Sequence, residues 1–255
     1  MAKKILLLGD YIEDVNLYGT VTRLCPEAPV PVWVPGTQDI RPGGMGLVRD
    51  NLDALGFEVF QYILSRSRKT RFWSGKHLVM RKDEDTLERK AMDRSILPRL
   101  KEYDAVVVSD YNKGGISNEN AQIIANQCFT LGVKLFVDTK RPNPWLYKNA
   151  YAIFPNRVEY TAMKDFPYQH VVLKDGKNGS YVDGMHCPAE PAVEEFDVTG
   201  AGDVFLAAFV EADLDGWCLE DCARFGNLAA AISVKHRGGY VLTPSDIKQY
   251  QGEDE

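Results

Sequence analysis

The run Lys4-Ile5-Leu6-Leu7-Leu8, closed by Gly9-Asp10, is the first of five segments built alike. The others are Ala105 to Val108 before Ser109-Asp110, Lys134 to Val137 before Asp138, Ala152 to Phe154 before Pro155-Asn156, and Val171 to Leu173 before Lys174-Asp175-Gly176. Short continuous apolar runs of this kind suit strands buried on both faces, as in a parallel sheet. Each ends in polar residues or glycine, at the carboxyl edge where open α/β sheets build their sites. Helical patterns lie between them, for example Ser117 to Leu131 and Cys218 to Lys235. The pattern predicts a doubly wound αβα sandwich.

Two regions break the rhythm. Residues 15–40 thread Pro26, Pro29 and Pro31 through Val30-Pro31-Val32-Trp33-Val34, which reads as irregular or edge strands. Residues 69–83 read as a hairpin turning at Ser74-Gly75-Lys76. Together they predict a small β lid. Its exposed apolar strands suit pairing with a second copy, so a homodimer through the lid is expected. Basic residues gather at Arg66-Ser67-Arg68-Lys69-Thr70-Arg71, either as a solvated turn or as a surface that meets an anionic substrate.

The chain has 255 residues, enough for one α/β domain spanning its whole length, with 45% hydrophobic and 26% charged residues. A net charge of -6 without a long basic run argues against nucleic-acid or membrane partners. No apolar segment is long enough to cross a bilayer, and the N-terminal one is too short for a signal peptide. Five scattered cysteines without a Cys-x-x-Cys pair read as reduced thiols, and a cytoplasmic location is expected. No P-loop, nucleophile elbow or zinc spacing occurs, and Gly44-Met45-Gly46-Leu47-Val48-Arg49 fails the dinucleotide fingerprint at its last position.

The chemistry concentrates in Asp197-Val198-Thr199-Gly200-Ala201-Gly202-Asp203, which runs into the apolar stretch Val204 to Phe209. It reads as a glycine turn opening a buried helix. Bare N–H groups at the positive end of a helix form an anion site. An oxyanion cradle beside a carboxylate is what phosphoryl transfer to a hydroxyl requires. The plain structural alternative is a helix start capped by Thr199 or Asp197. The helix dipole should favour the charged form of Asp203 and make it a weak base.

Four segments in order resemble one family. They are Gly9-Asp10-Tyr11-Ile12-Glu13-Asp14 with Arg23-Leu24-Cys25-Pro26-Glu27-Ala28-Pro29-Val30-Pro31-Val32; Arg41-Pro42-Gly43-Gly44 leading to Leu55-Gly56; Ser109-Asp110-Tyr111-Asn112-Lys113-Gly114 with Pro155-Asn156-Arg157-Val158-Glu159; and the Asp197–Asp203 turn. The chain resembles the ribokinase-like (PfkB) sugar kinases. Among them it is most similar to the kinase half of bifunctional bacterial heptose-7-phosphate kinase/adenylyltransferases.

The resemblance implies a ribokinase-like αβα sandwich with a small lid, using ATP and Mg²⁺, with a monovalent cation left open. It implies Asp203 as the base and the N–H groups of Gly200, Ala201 and Gly202 as the phosphoryl cradle. Asn156 and Glu159 would organise Mg²⁺ through water, with Arg157 and Val158 in the same nucleotide-binding motif. The alternative for Asn156 and Glu159 is an ordinary capping pair. Lys174, Gly176 and Asn227 would border the nucleotide, with a surface lysine or a core asparagine as alternatives. Asp14, Gly43 and Gly44 would form the sugar edge, and Lys69 and Arg71 would meet a phosphate on the acceptor.

The implied reaction is phosphorylation of a sugar phosphate, with D-glycero-D-manno-heptose 7-phosphate going to the 1,7-bisphosphate. Alternatives are a kinase for another sugar or a nucleoside, and a non-catalytic relative that binds a nucleotide or sugar phosphate. Two departures stand out. Leu47 replaces the sugar-binding asparagine of Gly-Gly-x-x-Asn, and a helix and strand expected after Leu64 are missing.

Overall fold

The computed structural model describes residues 2–161, 163, 168–189 and 197–251. Four strands form the centre of the main sheet: β1 (Lys4–Leu24), β3 (Glu58–Ser74), β5 (Ala105–Asp110) and β6 (Lys134–Thr139). β2 (Pro31–Gly44), β4 (His77–Arg89) and β7 (Ala152–Ile153) complete it. The order is β4-β3-β1-β5-β6-β7, with β2 paired to β1. β1 pairs in parallel with β3 and β5, and β5, β6 and β7 continue in parallel.

Side chains alternate between two cores. Ile5, Leu7, Val107 and Phe136 pack on one face with α1 (Met45–Ala54), α4 (Ala201–Leu214) and α5 (Leu219–Ser233). Leu6, Leu8, Val106, Val108 and Val137 pack on the other with α2 (Asn118–Leu131). This is the αβα sandwich that the apolar runs predict. α2 starts where Ser117 accepts the Asn120 N–H and stops at the left-handed Gly132. α4 is buried without interruption from Val204 to Val210. At about 1.5–3 kcal/mol for each large apolar side chain, that burial fixes where the helix begins.

Two strands depart from the sequence reading. β1 does not end at Gly9-Asp10. It shifts register against β3 there and runs on to Leu24. Beyond Gly9 it loses β5 and gains β2, antiparallel from Tyr11↔Gly44 to Leu24↔Pro31. The lid is therefore the outward continuation of the central strands, and residues 15–40 are strand apart from the turn at 25–30, with β2 at an edge and the pairing irregular at Leu17/Gly19 and Val21/Arg23, as the sequence reading expected. The hairpin at 69–83 is its other half, joined to β1 through the far end of β3. A bulge raises local twist, which lets one strand serve both layers. β8 (Val172–Lys174) leaves the parallel sheet and forms a separate antiparallel sheet with β9 (Ser180–Val182) and β10 (Met185–Cys187). Among the described residues, the isolated bridges Ile153↔Val171 and Asn156↔Lys174 link this segment to the edge of the main sheet.

The basic run at 66–71 lies in β3 and not in a turn. Arg68 pairs with Glu13, Arg66 with Glu88 and Arg71 with Asp14. No helix among the described residues is long and apolar enough to cross a membrane.

Gly9 marks the bulge at φ +151°, where a Cβ would overlap the Ser109 carbonyl oxygen of β5. The strands must part to admit it. Gly9→Ala should therefore cost more than about 2 kcal/mol in urea denaturation, and a midpoint within error of wild type would mean that β1 and β5 are not held as described.

Candidate active site

α4 starts on Gly200, which adopts a left-handed φ of 80° and gives no side-chain cap. A Cβ at Gly200 would collide with Leu47 Cδ2, so glycine is required on two counts. Neither Thr199 nor Asp197 caps the helix. Asp197 instead accepts the N–H groups of Thr199 (2.9 Å) and Gly238 (2.8 Å), tying the turn to the loop after α5. The Ala201 N–H makes a long 3.3 Å turn bond to Val198, and the Asp203 N–H bonds Gly200 at 2.9 Å. Those of Gly200 and Gly202 have no backbone acceptor among the described residues. The positive end of α4 is left open to a ligand.

Asp203 is 3% exposed in the first turn of α4. Burial, together with the charge of Asp138, pushes its carboxyl up to about 7. The Tyr111 hydroxyl, Lys140 and Lys174 pull the other way and do not overcome burial. The sequence-based expectation of a weak base is therefore corrected: desolvation outweighs the helix dipole. A carboxyl near 7 is matched to proton transfer near neutral pH.

Asp203 opens onto a cleft of about 520 Å³, lined also by Tyr111, Asp138, Lys140, Asn156, Lys174, Gly176 and Asn227. Val198 and the α5 residues Ala230, Ala231 and Ile232 form its apolar wall. Asp138 lies between two ammonium groups, 3.0 Å from Lys140 and paired more closely with Lys174. Burial pushes Asp138 up, but the two cations outweigh it and hold it below its ordinary range. Burial lowers Lys174 despite that carboxylate. A Cβ on Gly202 would meet Lys174 Nζ at 3.2 Å, so this ammonium faces the glycine turn.

Asn156 and Glu159 form a reciprocal capping pair at the start of α3 (Arg157–Thr161). Glu159 accepts the Asn156 N–H at 2.8 Å, and Asn156 Oδ1 accepts the Glu159 N–H at 2.9 Å. Lys140 also reaches Glu159 at 3.1 Å. Among the described residues no group of three or more metal-ligating side chains gathers. These oxygens suit a hydrated Mg²⁺ held chiefly by nucleotide phosphates, and they do not form a protein cage. Val158 is 83% exposed, and Arg157 turns to Asp175; neither lines the cleft. Asn227 donates to the carbonyls of Cys187 (2.9 Å) and Pro188 (3.2 Å), which makes it a wall brace.

A second cleft of about 340 Å³ lies under the lid. Asp14, Asn16 and Arg71 line it from the central strands, Trp73, Lys76 and Leu78 from the hairpin, and Arg41 and Arg237 from the sides. Gly43 leaves room for Asp14, because a Cβ there would overlap its carboxylate, and Gly44 turns the chain into α1 at φ 55°. Lys69 does not line this cleft. Its ammonium sits 5.2 Å above the Tyr111 ring, lowered by burial. The sequence reading gave no site role to Arg41, Lys76 or Arg237. They come together only because β2, the hairpin turn and the loop after α5 converge, with Arg41 donating to the Arg237 carbonyl at 2.6 Å. Leu47 is buried beneath Gly200 and Gly239 and offers no polar contact.

The chain matches the pfkB family of carbohydrate kinases over residues 76–246 and belongs to that family. It is 29% identical to the bifunctional protein HldE of Sulfurimonas denitrificans and 30% identical to that of Nitratiruptor sp.. The alignments cover 97% and 98% of this chain but 64% and 65% of those relatives. They run over 305 and 308 residues, so the relatives carry residues that this chain of 255 lacks. The fold is similar to Arabidopsis thaliana ribokinase complexed with ribose and ATP, with a TM-score of 0.75 at 17% identity, covering 97% of this chain and 98% of that one. It is also similar to phosphofructokinase-2 from Escherichia coli in complex with potassium, with a TM-score of 0.76 at 15% identity and 98% coverage of both. The ribokinase-like fold is thereby established.

Because folding raises the Asp203 carboxyl, the folded chain holds that proton more tightly than the unfolded one. The stability this group contributes is full below about pH 4 and is lost as pH rises through about 7. Asp203→Asn should therefore melt above wild type at pH 8, by roughly 5 °C or more, with the gap narrowing at pH 5. Equal melting temperatures at pH 8 would show that Asp203 is not held in a desolvated site.

Proposed function

We propose that this chain transfers the γ-phosphoryl group of ATP to a hydroxyl of a sugar phosphate, with D-glycero-D-manno-heptose 7-phosphate as the leading acceptor and its 1,7-bisphosphate as product. The observation that carries the reading is a buried carboxylate, raised to about 7, beside an uncapped helix N-terminus in one cleft. Asp203 accepts the proton of the attacking hydroxyl. The open N–H groups of Gly200 and Gly202, with Lys174 facing them, hold the migrating phosphoryl charge. The apolar α5 wall takes the nucleobase, and Lys140 completes the cation set toward the phosphates. Asn156 and Glu159 would hold Mg²⁺ through water, and the ion would neutralise phosphate oxygens there.

The acceptor lies in the second cleft, which borders the same Asp197–Asp203 turn as the first: Asp197 and Thr199 line one, Val198 and Gly200 to Asp203 the other. Four basic side chains there face two carboxylates, an excess that suits an acceptor already bearing an anionic group. Asp14 and Asn16 supply oxygens for sugar hydroxyls. The HldE relatives support the same class. Exposed apolar lid residues, among them Val34, Ile40, Leu78 and Met80, support a second copy packing on the lid.

ADP release with Mg-ATP against free sugars, nucleosides and sugar phosphates tests the reading. Release should depend on acceptor, be highest with a heptose 7-phosphate, and fall about a thousandfold in Asp203→Asn with ATP affinity retained. Acceptor-independent ATP binding alone would favour a non-catalytic protein. Lys76→Ala, at the tip of the lid hairpin, should raise KM for the phosphorylated acceptor about tenfold and leave KM for ATP unchanged. Equal effects on free sugars would remove the phosphate from that wall.

A further inference from the structure

Tyr111 carries no role in the reading above, yet its hydroxyl lies in the fork of the Asp203 carboxylate, 2.9 and 3.0 Å from the two oxygens. Burial and the Asp203 charge push the phenol well above its ordinary range, so it stays protonated and donates. The backbone that presents it is fastened on both sides. Asp110 is buried and bound by Arg141 and by the Tyr147 hydroxyl, and it accepts the Asn112 N–H at 3.0 Å. Asp10 accepts the N–H groups of Lys113 (3.1 Å) and Gly115 (3.3 Å). Above the ring stands Lys69, the cross-strand partner of Asp14. Tyr111 thus stands at a seam between Asp203, which its hydroxyl contacts, and Lys69 of β3, which lies beside Asp14 in the sheet.

We propose that Tyr111 is a positioning residue that holds Asp203 and keeps water off it until an acceptor hydroxyl arrives. The inference rests on Asp203 being the base. Without acceptor, the phenol fills the donor position from which a water would be activated. A water there would give its proton to Asp203, attack the γ-phosphorus and release ADP and phosphate. An acceptor seated against Asp14 takes one carboxylate oxygen and leaves the phenol on the other, since an ionised carboxyl has room for both donors. Exclusion of water from a reactive phosphoryl group is a recognised function of closed sites. The tyrosine performs it here without a moving loop.

The test is release of ADP and phosphate from Mg-ATP with no acceptor, measured on protein that binds ATP. Tyr111→Phe should raise it about tenfold, and adding Asp203→Asn to that variant should abolish the rise. The acid limb of the hydrolysis profile should move to higher pH in the Phe variant, because phenol donation favours the carboxylate. Asp138, Lys140, Lys174, Asp14 and Lys69 face this seam in both proteins, so the shift isolates the hydroxyl. Tyr111→His keeps a ring donor, guards against an unfolded Phe variant, and should hydrolyse at least about threefold more slowly than it. Unchanged hydrolysis in the Phe variant, or a His variant that hydrolyses as fast as the Phe variant, overturns the proposal. Because no acceptor is needed, that failure is separable from a failed acceptor panel, which would sink the kinase reading itself.

Discussion

The first turn of α4 carries the constraint that the surrounding sequence answers to: its N–H groups must stay uncovered while a carboxylate sits beside them away from water. A side-chain cap would close the anion site, so the turn is built from glycine, and the residues that could cap it are occupied. Asp197 is spent on Thr199 and Gly238. The helix is then anchored by burial along Val204 to Val210 instead of by its end.

Such a site needs counter-charge that burial does not silence. Lys140 and Lys174 share Asp138, and Lys140 also pairs with Glu159, so each ammonium keeps a partner while Lys174 faces the turn. Buried charge of this kind is weak ground for a stability argument, because desolvation offsets much of the attraction. On the proposed reading it makes sense as a preorganised receptor for phosphate. Asp203 is the opposite case. Among the described residues it forms no ion pair and accepts the Tyr111 hydroxyl, and burial raises its carboxyl to about 7, where it can exchange protons near neutral pH.

Much of this was legible in the sequence, and the limits are physical. The apolar runs gave the sandwich because a strand buried on both faces has no other pattern. The glycine turn before the apolar run Val204 to Phe209 read as a helix start, and α4 begins there, uncapped, on Gly200. The lid was harder. Whether β1 stops at Gly9 or bends there depends on a register shift against β3, a relation between distant segments that no local pattern records. The same holds for β8, whose apolar residues suit either sheet. Asp203 was misjudged as a weak base because dipole reasoning is local, whereas desolvation comes from the whole fold. Lys69 and Arg71 are two apart in β3 and share a face of the strand, yet only Arg71 lines the second cleft, because Lys69 sits over the Tyr111 ring. Arg41, Lys76 and Arg237 had no shared motif to betray them.

The departures from the family pattern bear on the acceptor more than on the chemistry. Leu47 stands where an asparagine would meet a sugar, but its side chain is spent packing under Gly200 and Gly239. It supports the cradle from below and withdraws one polar group from the acceptor side. The missing segment after Leu64 has a similar consequence. β3 runs unbroken from Glu58 to Ser74, so the sheet passes straight into the lid with no helix intervening. Neither change touches Asp203, Lys174 or the open N–H groups. On the proposed reading, a hydroxyl that reaches Asp203 therefore meets an intact transfer site, and recognition falls to the charged wall of Arg41, Arg71, Lys76 and Arg237. On that reading, recognition by charge in place of a fixed amide favours an anionic acceptor and tolerates variation in the stereochemistry of its hydroxyls.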